Sequence, residues 1–222
     1  MKAMILAAGK GERMRPLTDH LPKPLLKVKG KTLIEYALDR VRLAGIYEVV
    51  INVSYLGHMI EHHLGDGSRY GLKIQYSREH EPLETGGGIA RAMPLLCDSG
   101  DNPFMLINSD VWCYLDLSLL KNALSPAKLA HLVLVNNPEH HARGDFSLRD
   151  GSVIFLSDKT QAYTYSGIAV IDPKLFRLYQ PKTHKFPLKD LLVEGIKKQQ
   201  VSGELYTGAW VDVGTPERLV SL

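Results

Sequence analysis

Short apolar runs of strand length alternate with amphipathic stretches of helix length along the first half of the chain, and that alternation leaves few folds open. Residues 1–6, 48–53, 73–77 and 104–108 read as strands, and residues 32–44, 56–64 and 87–95 as the helices between and after them. Thr32 and Glu35 make a capping box for the first helix, and Leu33, Tyr36, Ala37, Val41 and Ala44 fall on one of its faces. Units of this kind build a mostly parallel sheet covered by helices.

Further along, the regularity weakens. Residues 117–124 could form a helix, 131–135 a strand, and 145–156 a hairpin about Asp150-Gly151. A β-rich run follows at 163–171, an amphipathic helix at 188–199, and strands at 203–206 and 210–213. Thr215-Pro216 supplies an N-cap and an N1 proline for a last helix. No linker, repeat or low-complexity segment divides the 222 residues, so the chain reads as a single α/β domain, doubly wound in its first half and mixed in its second.

Composition excludes several classes. The formal charge of +3 is too small to argue for nucleic acid. Cys97 and Cys113 have no zinc-like spacing and read as reduced thiols. No stretch is long enough to span a bilayer, and the opening apolar run is shorter than a signal-peptide core, so the expected compartment is the cytoplasm. The pairs His62-His63 and His140-His141 lack a third ligand, and adjacent side chains on a helix do not face each other, so they read as surface histidines.

Directly behind the first strand lies AAGKGERMRPLTDHLPKPL, rich in glycine and positive charge. Such a turn is where α/β proteins hold phosphates, with backbone N–H groups aimed at the anion. The dinucleotide fingerprint GxGxxG fits Gly9 and Gly11 but meets Met14 at its third glycine, and the P-loop pattern has no match, which tells against a nicotinamide dehydrogenase. What remains is a longer loop carrying Arg13 and Lys23, the latter held before Pro24 and so expected in extended backbone. An arginine fork and a lysine point charge suit a triphosphate; a merely solvated basic loop is the competing reading.

This segment resembles the signature of sugar-phosphate nucleotidyltransferases, roughly GxGxRx(P)LTxxxPKP, at Gly9, Gly11, Arg13, Pro16, Leu17, Thr18, Pro22, Lys23 and Pro24. The resemblance implies a Rossmann-like, doubly wound mixed sheet of the nucleotide-diphospho-sugar transferase type. Residues 1–112 would then be the nucleotide-binding half and residues 113–222 the sugar-binding half. It also implies that Ala8, Gly9, Gly11, Glu12 and Arg13 hold the nucleotide phosphates and that Lys23 neutralises the α-phosphate side, which makes Arg13 and Lys23 the catalytic pair.

Other segments extend the likeness. The run EPLETGGG is similar to the family's EPLGTAG segment, which lies against base and ribose, and this nominates Glu81, Thr85 and Gly86. Glu84 stands where that segment has glycine, and a glycine stands for its alanine, so base selectivity stays open. Read alone, three glycines before a helix allow close approach to a ligand. Asp110 closes the apolar strand 104–108, a position suited to a hard cation. Asp212, flanked by two valines, could equally be an exposed strand residue. The family's GD and W-x-D-x-G-T motifs imply that Asp110 and Asp212 bind Mg²⁺ together. Asn108, Asp145, Ser166 and Gly167 stand where the family builds its sugar pocket.

The likeness spans essentially the whole chain and is strongest toward the uridylyltransferases of cell-wall recycling, whose substrates are UTP and the sugar 1-phosphate N-acetylmuramic acid α-1-phosphate. Arg143 and His141 are candidates for that sugar's lactyl carboxylate by location. Mannose 1-phosphate guanylyltransferase is the neighbouring alternative, and a non-catalytic nucleotide-sensing subunit the alternative from another class. The oligomeric state stays open.

Overall fold

The computed structural model describes residues 1–97, 100–178 and 183–222. In chain order its elements are β1 (Ala3–Leu6), β2 (Lys27–Val28), β3 (Lys31–Thr32), α1 (Leu33–Leu43), β4 (Glu48–Val53), α2 (Gly57–Leu64), β5 (Lys73–Arg78) and α3 (Glu84–Leu96). The chain continues through β6 (Phe104–Asn108), β7 (Val111–Cys113), β8 (Ala130–Val135), β9 (Phe146–Arg149), β10 (Ser152–Ile154) and β11 (Ala162–Ile171). It ends with α4 (Leu175–Leu178), α5 (Leu188–Lys197), β12 (Val201–Tyr206), β13 (Trp210–Asp212) and α6 (Pro216–Val220).

A nine-stranded sheet of order β5-β4-β1-β6-β11-β8-β12-β10-β9 organises the chain, with the ribbons β7-β13 and β2-β3 beside it. The first four strands run parallel, β11 is antiparallel to both β6 and β8, and β12 runs parallel to β8. This is the doubly wound, mixed α/β architecture the sequence implied. Alternate residues of β1 face opposite cores. Ala3 and Ile5 pack with Ile34, Leu38 and Val41 of α1 and Ile60 of α2. Met4 packs with Ile89 and Ala92 of α3 and Leu191 of α5. Burial on both faces explains why these strands read as continuous apolar runs.

The chain leaves β1 for β4 on one side and later returns as β6 on the other. The carboxyl ends of the strands share one edge, with Leu6 level with both Asn52 and Asn108. A crevice opens where the winding direction reverses, at the mouth between β1 and β6.

Local sequence explains most boundaries. The Asp150-Gly151 turn joins β9 to β10 with both residues at positive φ (49° and 72°), as a two-residue hairpin of primed type requires. Thr215 caps α6 by accepting from the Arg218 N–H, with Pro216 at N1. Residues 117–122 form a 3-10 turn and not an α-helix: Asp116 caps it through the Ser118 N–H, and Leu117 and Leu120 are buried three residues apart. Helix α3 starts at Glu84, so the glycine triplet lies inside it rather than before it.

The capping box of α1 also ties it to its neighbours. Glu35 accepts from the Thr32 N–H (2.8 Å) and the Tyr70 hydroxyl (2.9 Å), and its other contact is His63 at 3.1 Å. Burial alone would raise its carboxyl, but these partners outweigh that and hold it at about 2. Because the folded value lies below the unfolded one, the stabilisation is fully present above about pH 4.5 and is lost as the pH falls toward 2. Glu35→Ala is therefore expected to cost roughly 1–2 kcal/mol at neutral pH. Urea unfolding at pH 7 and near pH 2 checks this: the gap between variant and wild type closes in acid, and a gap of constant size would refute the assignment.

Candidate active site

A cleft of about 600 Å³ opens at the strand edge between β1 and β6. The loop after β1 forms its floor, with Ala8, Gly9, Gly11, Glu12 and Arg13 all lining it. Gly11 takes φ +66°, and a Cβ there would sit 3.0 Å from Thr18 Cγ2 and 3.1 Å from Lys23 Cβ. Glycine is thus required at 11 both by the backbone turn and by the close approach of Lys23. The Thr18 hydroxyl donates to the Gly11 carbonyl (2.8 Å), which ties the glycine turn to the LT segment of the motif.

Lys23 opens a 3-10 turn (Lys23–Leu25), where extended backbone was expected. Pro24 is tolerated because the first N–H groups of a helical turn have no partner within it. The ammonium of Lys23 enters the cleft and pairs with Asp110 Oδ2. No hydrogen-bond or ion-pair partner among the described residues takes the other Asp110 oxygen, and Arg13 likewise has none.

The two aspartates expected to meet are brought to adjoining backbone. Strand β13 pairs with β7 so that Asp212 stands opposite Val111, and the Val213 N–H donates to the Asp110 carbonyl (2.9 Å). Asp110 lines the cleft directly, and Gly214, two residues past Asp212, closes one wall. Asp212 Oδ1 accepts from Arg218 Nη1 (2.6 Å) and lies 3.0 Å from His140 Nε2. Three of the histidines read as surface residues also have acidic neighbours: His63 meets Glu35, His140 meets Asp212, and His141 meets Asp145 at 3.2 Å.

On the opposite wall, Thr85 and Glu84 line the cleft, whereas Gly86 and Glu81 do not. Glu81 is exposed and faces His184 at 3.1 Å. The Thr85 hydroxyl accepts from the Leu188 N–H (2.8 Å) and so docks the start of α5. The glycine triplet serves packing. A Cβ at Gly86 would lie 2.5 Å from the Phe186 ring, one at Gly87 would collide with the His184 carbonyl, and one at Gly88 would lie 2.6 Å from Glu79 Oε1. Glu84 sits at φ +61°, which explains why a glycine suits this position in the resembling segment.

Of the residues nominated for the sugar, Asn108 lines the cleft. Gly167, at φ +81° on β11, lies so close that a Cβ there would be 2.7 Å from Asn108 Nδ2. Ser166 is 1% exposed; its hydroxyl accepts from the Ile168 N–H (3.2 Å) and its carbonyl from Trp210 Nε1 (3.0 Å). That local engagement keeps the hydroxyl out of the open cleft. Asp145 accepts from the Tyr165 N–H (3.0 Å) and does not border the cleft.

Three residues at the site escaped the sequence reading. Asn52, 3% exposed at the end of β4, accepts from the Ala7 N–H (2.8 Å) and donates to Glu79 Oε1 (2.7 Å). Glu79 in turn accepts from the Leu83 N–H (3.0 Å), so this buried chain couples the glycine loop to the entry of α3. The third is Arg218. It lies beside Gly214 behind the cleft wall, and no local pattern in the sequence marked it.

A sequence model described as nucleotidyl transferase matches residues 2–222. The chain is 47% identical over 224 residues to N-acetylmuramate alpha-1-phosphate uridylyltransferase of Neisseria meningitidis serogroup B, covering 99% of this chain and 95% of that protein. It is 29% identical to mannose-1-phosphate guanylyltransferase catalytic subunit beta of Dictyostelium discoideum, covering 100% of this chain but 63% of that longer protein. A solved structure from Bacillus anthracis, described as a putative glucose-1-phosphate thymidylyltransferase, superposes with a TM-score of 0.88 at 20% identity, covering 100% of this chain and 93% of the other. At that identity the superposition establishes the shared fold.

Proposed function

The chain belongs to the nucleotidyl transferase family, and on that premise we propose that it joins UTP to N-acetylmuramic acid α-1-phosphate, releasing pyrophosphate and a UDP-sugar for peptidoglycan recycling in the cytoplasm. The observation that carries this reading is the 47% identity to the neisserial uridylyltransferase over nearly the full length of both chains. The cleft agrees with it, since a glycine loop, Arg13, Lys23 and Asp110 face one space. No helix among the described residues is long and apolar enough to cross a membrane.

The chemistry needs alignment more than a base. A phosphate monoester has its second pKa near ~6, so the sugar 1-phosphate is largely dianionic at neutral pH. Its oxygen would attack the α-phosphorus in line; the new P–O bond forms as the bond to the bridging oxygen of pyrophosphate breaks, and that oxygen keeps the electron pair. The chain's task is to hold two mutually repelling anions together and stabilise the charge between them. Gly9 and Gly11 would let backbone N–H groups approach the β- and γ-phosphates, Arg13 would pair with them, and Lys23 would sit beside the α-phosphate. Asn108 would meet the sugar side.

Asp110 and Asp212 suit a hard divalent cation: Asp110 lines the cleft, Asp212 stands on the adjoining strand, and each keeps one carboxylate oxygen without a partner among the described residues. They would hold Mg²⁺, which when bound supplies charge neutralisation between the two phosphate groups.

Pyrophosphate release measured for four nucleoside triphosphates against several sugar 1-phosphates, with and without Mg²⁺, tests the reading. Fastest turnover is expected for UTP with N-acetylmuramic acid α-1-phosphate, dependent on the metal. A preference for GTP with mannose 1-phosphate would transfer the chain to the guanylyltransferases. Release with no pair of substrates would leave a nucleotide-sensing role.

A further inference from the structure

The Mg²⁺ and triphosphate roles above leave Arg218 unused, yet its side chain is only 16% exposed and lies directly behind Gly214, which lines the cleft. Its two ends differ. Nη1 is anchored by Asp212 Oδ1 (2.6 Å), with His140 Nε2 against the same pair. Nη2 points toward Gly214, a residue of the cleft wall: a Cβ built on Gly214 would collide with it. Arg13 Nη2 lies 3.4 Å from that same point, coming from the glycine loop on the other side. Both nitrogens are thus within 3.4 Å of one position, and twice that distance bounds the gap between them.

Two guanidinium groups this close to each other repel, and Asp212 is the one carboxylate among the described residues that contacts either of them. The remaining positive charge calls for an anion. A phosphate group spans a gap of this size with a charge-assisted contact of ~2.8 Å at each end.

We propose that Arg218 and Arg13 together clamp the terminal phosphates of the nucleoside triphosphate and hold the pyrophosphate as it leaves, with Asp212 keeping Arg218 in place. This rests on the nucleotidyl-transfer reading of the same cleft. It gives the final helix a part in the reaction: α6 carries a substrate-binding arginine whose reach depends on Gly214 having no side chain. Arg218 lies outside the motifs that carry the family resemblance, whereas Arg13 lies within them.

Calorimetric titration of Arg218→Ala with pyrophosphate, UTP and UMP, in the presence of Mg²⁺, separates the possibilities. The clamp predicts a loss of roughly 10- to 100-fold in affinity for pyrophosphate and UTP, the scale of a hydrogen-bonded ion contact, with UMP affinity unchanged. Arg218→Lys should recover part of the loss. Gly214→Ala removes no charge but displaces the guanidinium, and should show the same ligand pattern. Lys189→Ala on the exposed face of α5 removes one positive charge elsewhere and should change nothing.

An equal loss for all three ligands would make Arg218 a structural support for Asp212 and overturn the clamp. Wild-type affinity for pyrophosphate in Arg218→Ala would do the same. A changed preference among sugar 1-phosphates with pyrophosphate affinity intact would place the guanidinium on the acceptor instead. Failure of the wild-type protein to bind UTP or pyrophosphate at all is a separate result, which removes the nucleotidyl-transfer reading itself.

Discussion

Replacing Lys23 by alanine is expected to lower kcat by roughly 10²-fold, the scale of losing one preorganised charge in a site that stabilises developing negative charge. The side chain is 13% exposed, its ammonium enters the cleft, and it is paired with Asp110, whose carboxylate is 27% exposed. Folding should be little affected, by about 1 kcal/mol, because the Asp110 carboxylate left behind lines the open cleft and can rehydrate. The loss belongs in kcat more than in KM. A point charge beside the α-phosphate interacts most strongly when the bond to pyrophosphate is breaking, whereas the ground-state triphosphate keeps its contacts with the glycine loop. Steady-state kinetics on the variant, with thermal unfolding as a control on its structure, checks both parts. Turnover at the wild-type rate would remove Lys23 from the reaction. A fall in thermal stability large enough to explain the loss would make the lysine a structural counter-charge for Asp110.

That residue illustrates what could be read without coordinates and what could not. The position of Lys23 was legible because it falls on the PKP end of the family signature; its charge alone left a solvated basic loop as the competing reading. Its pairing with Asp110 was not, since 87 residues separate the two and only the parallel register of β1 and β6 brings their loops together. The first half of the fold was legible for a different reason. Strands buried on both faces leave unbroken apolar runs, and α1 carries its own capping box.

In the second half the strands at 131–135, 163–171, 203–206 and 210–213 and the 145–156 hairpin were legible too, and what escaped were short elements that draw stability from partners rather than from a local pattern. Strand β7 has three residues and pairs with β13 almost a hundred residues later, and nothing within its own window marks it as a strand. The same reasoning covers the glycine triplet. Three glycines in a row look like a flexible loop, yet each is required by a different neighbour pressed against α3, and the sequence carries no trace of those neighbours. Asn52 and Glu79 were hidden by their settings, one at the end of an apolar strand and one in an acidic loop. A buried hydrogen-bonded pair has no periodicity to betray it.

The glycine loop permits a sharper experiment than removing a charge, because its two glycines differ in what they would meet. Gly11→Ala faces Thr18 at 3.0 Å and Lys23 at 3.1 Å from a backbone at φ +66°, so it should destabilise the protein and shift Lys23 along with the loop. At Gly9 a Cβ would meet no protein atom within 4 Å, although the residue lines the cleft. The folded chain therefore has no need of glycine at position 9; the need arises only when something fills the space beside it. Gly9→Ala is expected to unfold at the wild-type temperature and to lose on the order of 10²-fold in kcat/KM, the cost of displacing a bound phosphate by about the width of a methyl group from its in-line position. Titration with UTP should show the weakened binding directly. Full activity in Gly9→Ala would mean that the triphosphate does not approach the loop at this point, and the phosphate cradle would have to be sought elsewhere along the cleft.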